Sequence, residues 1–159
     1  MTIAHTVQLS LAQSQTPYEL VRHSHSSSSL HTAHKAAIPP AALAKAVLLE
    51  DDLEHNHFMM AVVPASRRVE LTELARQAGR RVHLASEEDA AGLFSDCEAG
   101  AIPALGAAYG IETIVDESLL EQQDVYFEAG DHELLVHLKA QDFGSLLSDC
   151  AHGHFSRAI

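Results

Sequence analysis

Cysteine, basic side chains and long apolar runs are all scarce in this chain, and each scarcity closes off a class of protein. Two cysteines in 159 residues, Cys97 and Cys150, make no disulfide framework, which points away from a stapled secreted fold and toward a reducing compartment. No apolar run approaches the ~20 residues that cross a bilayer, so no membrane association is expected. Residues 1–14 lack a basic start, a long apolar stretch and a small-residue cleavage site, and do not read as a signal peptide. A cytoplasmic location is the resulting expectation. Ten Lys and Arg stand against 22 Asp and Glu, a net charge of −12, which opposes non-specific nucleic-acid binding.

What is present suits an ordinary globular protein: 47% apolar and 20% charged residues. The length fits one domain, domains clustering at roughly 100–150 residues. One domain is expected over residues 1–159, with a core over about 18–150 and flexible tails at both ends. The charge is uneven: residues 1–80 carry seven basic and seven acidic side chains, residues 81–159 three and fifteen. The one basic concentration is Arg67, Arg68, Arg76, Arg80 and Arg81. RNA contact, if made, is expected there; a solvated helix surface is the plainer reading.

There is no internal repeat. The Ser/His stretch 23–29 reads as a loop, with Ser28 or Ser29 capping a helix to about Ala37 that Pro39-Pro40 stops. Pro40 suits the first turn of a second short helix over 41–44. Residues 46–49 and 57–63 read as a strand hairpin, 70–78 as a helix closed by Gly79, and 82–84 as a strand. Ser86 opens a helix through Phe94, and residues 96–110, rich in glycine, show no period. Strands are expected at 111–115, 125–128 and 133–138, the last two joined across Gly130-Asp131. A helix from Asp142 to near Cys150 follows, and residues 152–159 are expected to be poorly ordered. Hairpins interspersed with helices favour a mixed α/β fold, a sheet wrapped by short helices, over strict βαβ alternation.

Two features carry chemistry. Lys45, one of three lysines, sits between apolar neighbours, where a lysine either snorkels out or is held at a site; a dipole-pairing lysine at a helix end is the alternative. Gly100-Ala101-Ile102-Pro103-Ala104-Leu105-Gly106 is a loop in which glycines let backbone N–H groups approach a carbonyl or phosphate.

Together with Val115-Asp116 and Glu128-Ala129-Gly130 ahead of the last strand, these segments resemble the YbaK/EbsC family from about Tyr18 to Leu147. That family includes trans-acting editing proteins and the editing insertion of bacterial prolyl-tRNA synthetases. The resemblance implies a mixed, mostly antiparallel sheet and hydrolysis of the ester of a mischarged, prolyl-type aminoacyl-tRNA, with no cofactor. It makes Lys45 essential and puts the glycine loop in the pocket. Two departures bear on amino-acid specificity: Leu134-Leu135-Val136 stands where some members carry an acidic residue, and Pro103-Ala104 where many read Pro-Pro or Pro-Phe.

On this reading backbone N–H groups around Gly100, Ala101 and Ile102 hold the developing oxyanion, Lys45 supplies positive charge, and His132 is an auxiliary polar group or an exposed turn histidine. Leu30, His31, Ile102, Pro103, Leu105, Gly106 and Gly130 are the candidate pocket residues. The partners implied are the tRNA acceptor end and possible delivery by prolyl-tRNA synthetase. Three rival readings stand beside it. Twelve histidines, with pairs at His23/His25, His31/His34, His55/His57 and His152/His154, raise a metal site, but no Cys-x-x-Cys or His-Glu-x-x-His occurs and none is expected. Cys97 is a poor nucleophile between Asp96 and Glu98. A non-catalytic module that binds an aminoacyl ligand or a synthetase and tRNA is the third.

Overall fold

The computed structural model describes residues 3–26 and 28–159. Met1 and Thr2 of the expected N-terminal tail, and Ser27 of the Ser/His stretch, lie outside them. The helices are α1 (His5–Gln13), α2 (Ser29–Lys35), α3 (Leu71–Ala78), α4 (Glu87–Leu93) and α5 (Ala140–Leu146). The strands are β1 (Glu19–Arg22), β2 (Leu43–Asp51), β3 (Phe58–Pro64), β4 (Arg67–Val69), β5 (Val82–Leu84), β6 (Glu112–Asp116), β7 (Asp124–Glu128), β8 (Leu134–Lys139), β9 (Ala151–Gly153) and β10 (Ser156–Ala158).

The sheet is mixed and mostly antiparallel, as expected. Its order is β1-β8-β7-β2-β3-β6-β9, and β5 also pairs with β2. β2 is the axis. Along one edge it runs antiparallel to β3 from Ala44 to Glu50; along the other it pairs first with β7, in parallel, and then with β5. β4 and β10 form a separate antiparallel ribbon. One apolar cluster packs α1, α5 and the loop around Leu105 against the sheet, with Val7, Leu11, Phe94, Phe127 and Phe143 buried. A second gathers Leu49, Met59, Leu74 and Phe155.

Local signals placed several elements. Ser28 Oγ accepts from His31 N–H at 3.2 Å, and Ser86 Oγ from Asp89 N–H at 3.0 Å, so both serines cap as read. Gly79 closes α3 in the left-handed conformation.

Three expectations are corrected. The second short helix is a 3-10 turn over Pro40–Ala42, and Leu43 and Ala44 already belong to β2, because they pair with Tyr126 and Phe127 of β7. The C-terminal stretch is ordered: Phe155 is 1% exposed, its N–H donates to Asp116 Oδ2 at 3.1 Å, and β9 and β10 flank it. The N-terminal stretch forms α1, whose Thr6 N–H is capped from a distance by Asp96 Oδ2 at 2.9 Å.

Candidate active site

Lys45 is the third residue of β2, half-buried, with Nζ donating to the carbonyl of Arg67 at 3.0 Å. Burial lowers its pKa, so the ammonium is held in a place that costs it hydration. It lines a cavity of about 140 Å³ with Leu43, Ala44, Ala46, Ser29, Gly100, Ile102 and Glu128. The register explains one neighbour. Leu43 and Ala44 lie opposite Tyr126 and Phe127, and one further step brings Lys45 level with Glu128. Adjacent strands are ~4.8 Å apart.

The glycine loop forms the facing wall, and its backbone is only partly free. Ala101 N–H donates to Glu98 O at 3.0 Å, so it is committed to a turn and Ala101 itself is fully buried. No acceptor among the described residues takes the N–H of Gly100 or Ile102, and these two line the cavity. Of the N–H groups expected to act around Gly100 to Ile102, that of Ala101 is thus committed within the loop, and those of Gly100 and Ile102 are not. Gly100 has φ +82°, a left-handed conformation that favours glycine. Pro103 and Gly106 are buried, and Leu105 joins the main apolar cluster; none of the three lines the cavity. Leu30 and His31 are exposed on α2 and do not line it either, whereas Ser29 does.

The turn after β7 is fixed from several sides. Ala4 N–H donates to Ala129 O and Glu98 N–H to Gly130 O, both at 2.8 Å. Gly130 has φ +117°, and a Cβ there would meet Ala4 Cβ at 2.9 Å, so α1 and this turn approach each other only over a glycine. Asp131 Oδ1 accepts from Glu133 N–H at 3.0 Å and Leu134 N–H at 2.9 Å. His132 is buried rather than exposed, with φ +63°, a conformation non-glycine residues seldom adopt. Its Nε2 lies 2.5 Å from Ala99 O. It faces a second cavity of about 280 Å³, lined also by Phe94, Cys97 and Glu98, which shares Gly100 and Ile102 with the first.

Glu128 was missed by the sequence reading. Its Oε1 lies 3.7 Å from Nε2 of buried His23. Burial, aided by the charge of Asp131, pushes its carboxyl up to about 8. The available signal was strand alternation: Val125 and Phe127 are buried core residues, so β7 turns Glu128 to its other face, beside Lys45.

The expected arginine cluster is largely occupied. Arg67 donates to Ser156 Oγ at 2.7 Å and to Ser156 O at 2.8 Å. Arg76 pairs with Glu73, and Arg80 with Glu112. Arg76, Arg80 and Arg81 border an open groove of about 710 Å³ beside α3. That groove begins near Asp52, some seven residues along the chain from Lys45, or ~20 Å in a strand.

Cys97 is half-buried, and burial pushes its thiol up to about 11, which removes thiolate at neutral pH. Of the histidine pairs, none forms a ligand set by itself. Among the described residues, His25, Glu98 and His132 bring one ligand atom each within 4.8 Å of one another and could hold a metal ion. No helix among the described residues is long and apolar enough to cross a membrane.

A family model described as aminoacyl-tRNA editing domain matches residues 23–146. Among solved structures, the chain is similar to a hypothetical protein, APE2540, at TM-score 0.83 and 17% identity, over 96% of this chain and 100% of that one. It is similar to a candidate trans-editing enzyme for prolyl tRNA synthetase at TM-score 0.80 and 17% identity, over 98% and 97%. A candidate signal transduction protein from Marinobacter aquaeolei VT8 matches at TM-score 0.73 and 25% identity, over 95% of this chain but 30% of its own.

Proposed function

Since the chain belongs to the aminoacyl-tRNA editing domain family, we propose that it is a trans-acting deacylase that hydrolyses the ester of a mischarged, prolyl-type tRNA. The observation that carries this reading is the small cavity lined by both Lys45 and the two residues with uncommitted backbone N–H groups, Gly100 and Ile102.

An aminoacyl ester is already activated, so catalysis needs positioning and stabilisation of the developing oxyanion more than a strong nucleophile. The Gly100 and Ile102 N–H groups receive the ester oxygen. Lys45 contributes positive charge beside it, or beside the terminal phosphate. Water adds to the carbonyl carbon, oriented by the ribose 2′-hydroxyl, and the tetrahedral adduct collapses by breaking the bond to the ribose oxygen, which leaves with a proton. Free amino acid and intact tRNA result. His132, its Nε2 held by Ala99 O, shapes the loop from behind. A cavity of about 140 Å³ is close to the size that holds one benzene-sized group, which favours a small aminoacyl moiety such as alanyl, seryl or cysteinyl. The neighbour described as a trans-editing enzyme for prolyl tRNA synthetase supports the choice of tRNA.

The test is deacylation of a panel: Ala, Cys, Ser and Pro on their own tRNAs, and Ala and Cys on proline tRNA. Lys45→Ala is expected to lower the rate by about 10²–10³-fold, the scale of losing one oxyanion-stabilising group. A fully active Lys45→Ala protein would refute the assignment. No hydrolysis of any member, with prolyl-tRNA synthetase present, would favour a binding module.

A further inference from the structure

Four buried polar side-chain atoms among the described residues lack a hydrogen-bond partner: His23 Nε2, Glu128 Oε1, Asp131 Oδ2 and His132 Nδ1. They belong to one region. His23 faces Glu128, Asp131 lies near enough to act on the Glu128 carboxyl, and His132 follows Asp131 in the same turn. Their chemistry is one-sided. His23 Nδ1 lies 2.7 Å from Ser24 O and donates there, so in the neutral ring Nε2 turns a lone pair toward Glu128. His132 Nε2 lies against Ala99 O, which leaves a lone pair on Nδ1 as well. The other two atoms are carboxylate oxygens. Apart from the one O–H that the raised Glu128 carboxyl carries, these atoms are acceptors without donors, an arrangement that costs free energy until a charged donor arrives and displaces that proton.

Glu128 is the member that reaches the cavity, beside Gly100 and Ile102. Lys45, the cation that lines the same cavity, donates to the Arg67 carbonyl instead and forms no ion pair with Glu128 among the described residues. Building on the deacylase reading, we infer that Glu128, backed by His23, is the receptor for the α-ammonium group of the aminoacyl ester. That ammonium brings three N–H donors and a positive charge, and it is joined through one carbon to the carbonyl held at Gly100 and Ile102. The site therefore takes esters of free amino acids and rejects N-blocked ones, such as N-acylated or peptidyl esters. Rejection follows because the acyl group removes the charge, leaves a single N–H and needs space that a cavity of about 140 Å³ lacks.

The experiment compares alanyl-tRNA with N-acetyl-alanyl-tRNA on the proline tRNA, for wild type and Glu128→Gln, and reads kcat/KM for each. Wild type is expected to prefer the free amine by about 10–100-fold, the worth of a charge-assisted hydrogen bond in a dry site. Glu128→Gln is expected to lose most of that on the free substrate while leaving the blocked one unchanged, a change of ratio that mere loosening of the fold would not give. Equal wild-type rates on the two substrates, or an undiminished preference in Glu128→Gln, overturn the assignment while the deacylase reading stands. If wild type hydrolyses neither, nor any member of the aminoacyl-tRNA panel with prolyl-tRNA synthetase present, the deacylase reading fails, and binding of 3′-alanylamino-3′-deoxyadenosine against its N-acetyl form tests the receptor alone. Tighter binding of the free amine that Glu128→Gln abolishes supports it; equal or undetectable binding overturns it.

Discussion

Replacing Glu128 with Gln should make the protein more stable above about pH 4.5, and increasingly so up to about pH 8. The Glu128 carboxyl is raised from the usual 4.5 to about 8 in the fold, by burial first and then by Asp131. Between those values the folded chain holds a proton that the unfolded chain has released, so stability falls as pH rises through the window. Gln, equal in shape, has no such proton. At roughly 1.4 kcal/mol per unit, wild type gives up ~3 kcal/mol by pH 7 and ~5 kcal/mol above pH 8. The side chain is 14% exposed, so solvent screening trims this only modestly. A shift of roughly 2–4 °C per kcal/mol in a chain of this size puts the difference in Tm near ~10 °C at pH 8. Thermal melts of both proteins at pH 5, 6, 7 and 8 read it directly. The two should differ by only about 1 kcal/mol at pH 5 and diverge steadily up to pH 8. A gap that does not change with pH, or a Gln variant less stable at pH 8, would refute the reasoning.

Cys97→Ser should leave deacylation within about twofold of wild type, because a thiol held up to about 11 supplies no nucleophile at neutral pH; a loss of two orders of magnitude would restore the cysteine. Phe155→Ala, in a segment that is buried although it lies near the chain's end, should cost about 3–5 kcal/mol in urea unfolding. A cost under 1 kcal/mol would return residues 152–159 to the loosely held tail that their sequence suggests.

The parts of the fold legible in the sequence were those that local chemistry decides. Ser28 and Ser86 cap helices through their own hydroxyls, Gly79 ends α3 by its own backbone freedom, and β2–β3 is a hairpin of adjacent apolar runs. What stayed hidden depends on partners distant in the chain. α1 shows little amphipathic pattern, and its docking uses Asp96, Ala129 and Gly130 from far along the chain. β9 and β10 are three residues each and exist because β6 and β4 offer edges. The same division runs through the candidate site. Lys45 and Gly100 stood out as a lone lysine among apolar residues and a glycine in a loop. Glu128 and His23 did not, because a glutamate at a strand end and a histidine after a strand look solvated until β8 and the turn at Gly130 enclose them.

An acidic protein that acts on tRNA must find its affinity somewhere, and the ion pairs limit where. Of the five clustered arginines, Arg67 is spent on Ser156, Arg76 on Glu73 and Arg80 on Glu112. That leaves Arg68 and Arg81 as the members of the cluster whose guanidinium groups have no partner among the described residues. Each phosphate neutralised contributes roughly −0.7 to −0.9 to the slope of log K against log salt, so two contribute about −1.5 to −2. Lys45 can add at most one more at the terminal phosphate. Binding of isolated tRNA should therefore be weak and only mildly salt-dependent, with most of the discrimination made at the acceptor end rather than along the RNA body. A delivering synthetase would then supply what the surface does not. Fluorescence titration of tRNA between 50 and 300 mM salt measures the slope. Lys35 and Arg67, whose partners are neutral, keep their charge and can add to this, so only a value steeper than about −6 would require opened ion pairs and refute the view that Arg76 and Arg80 are structural.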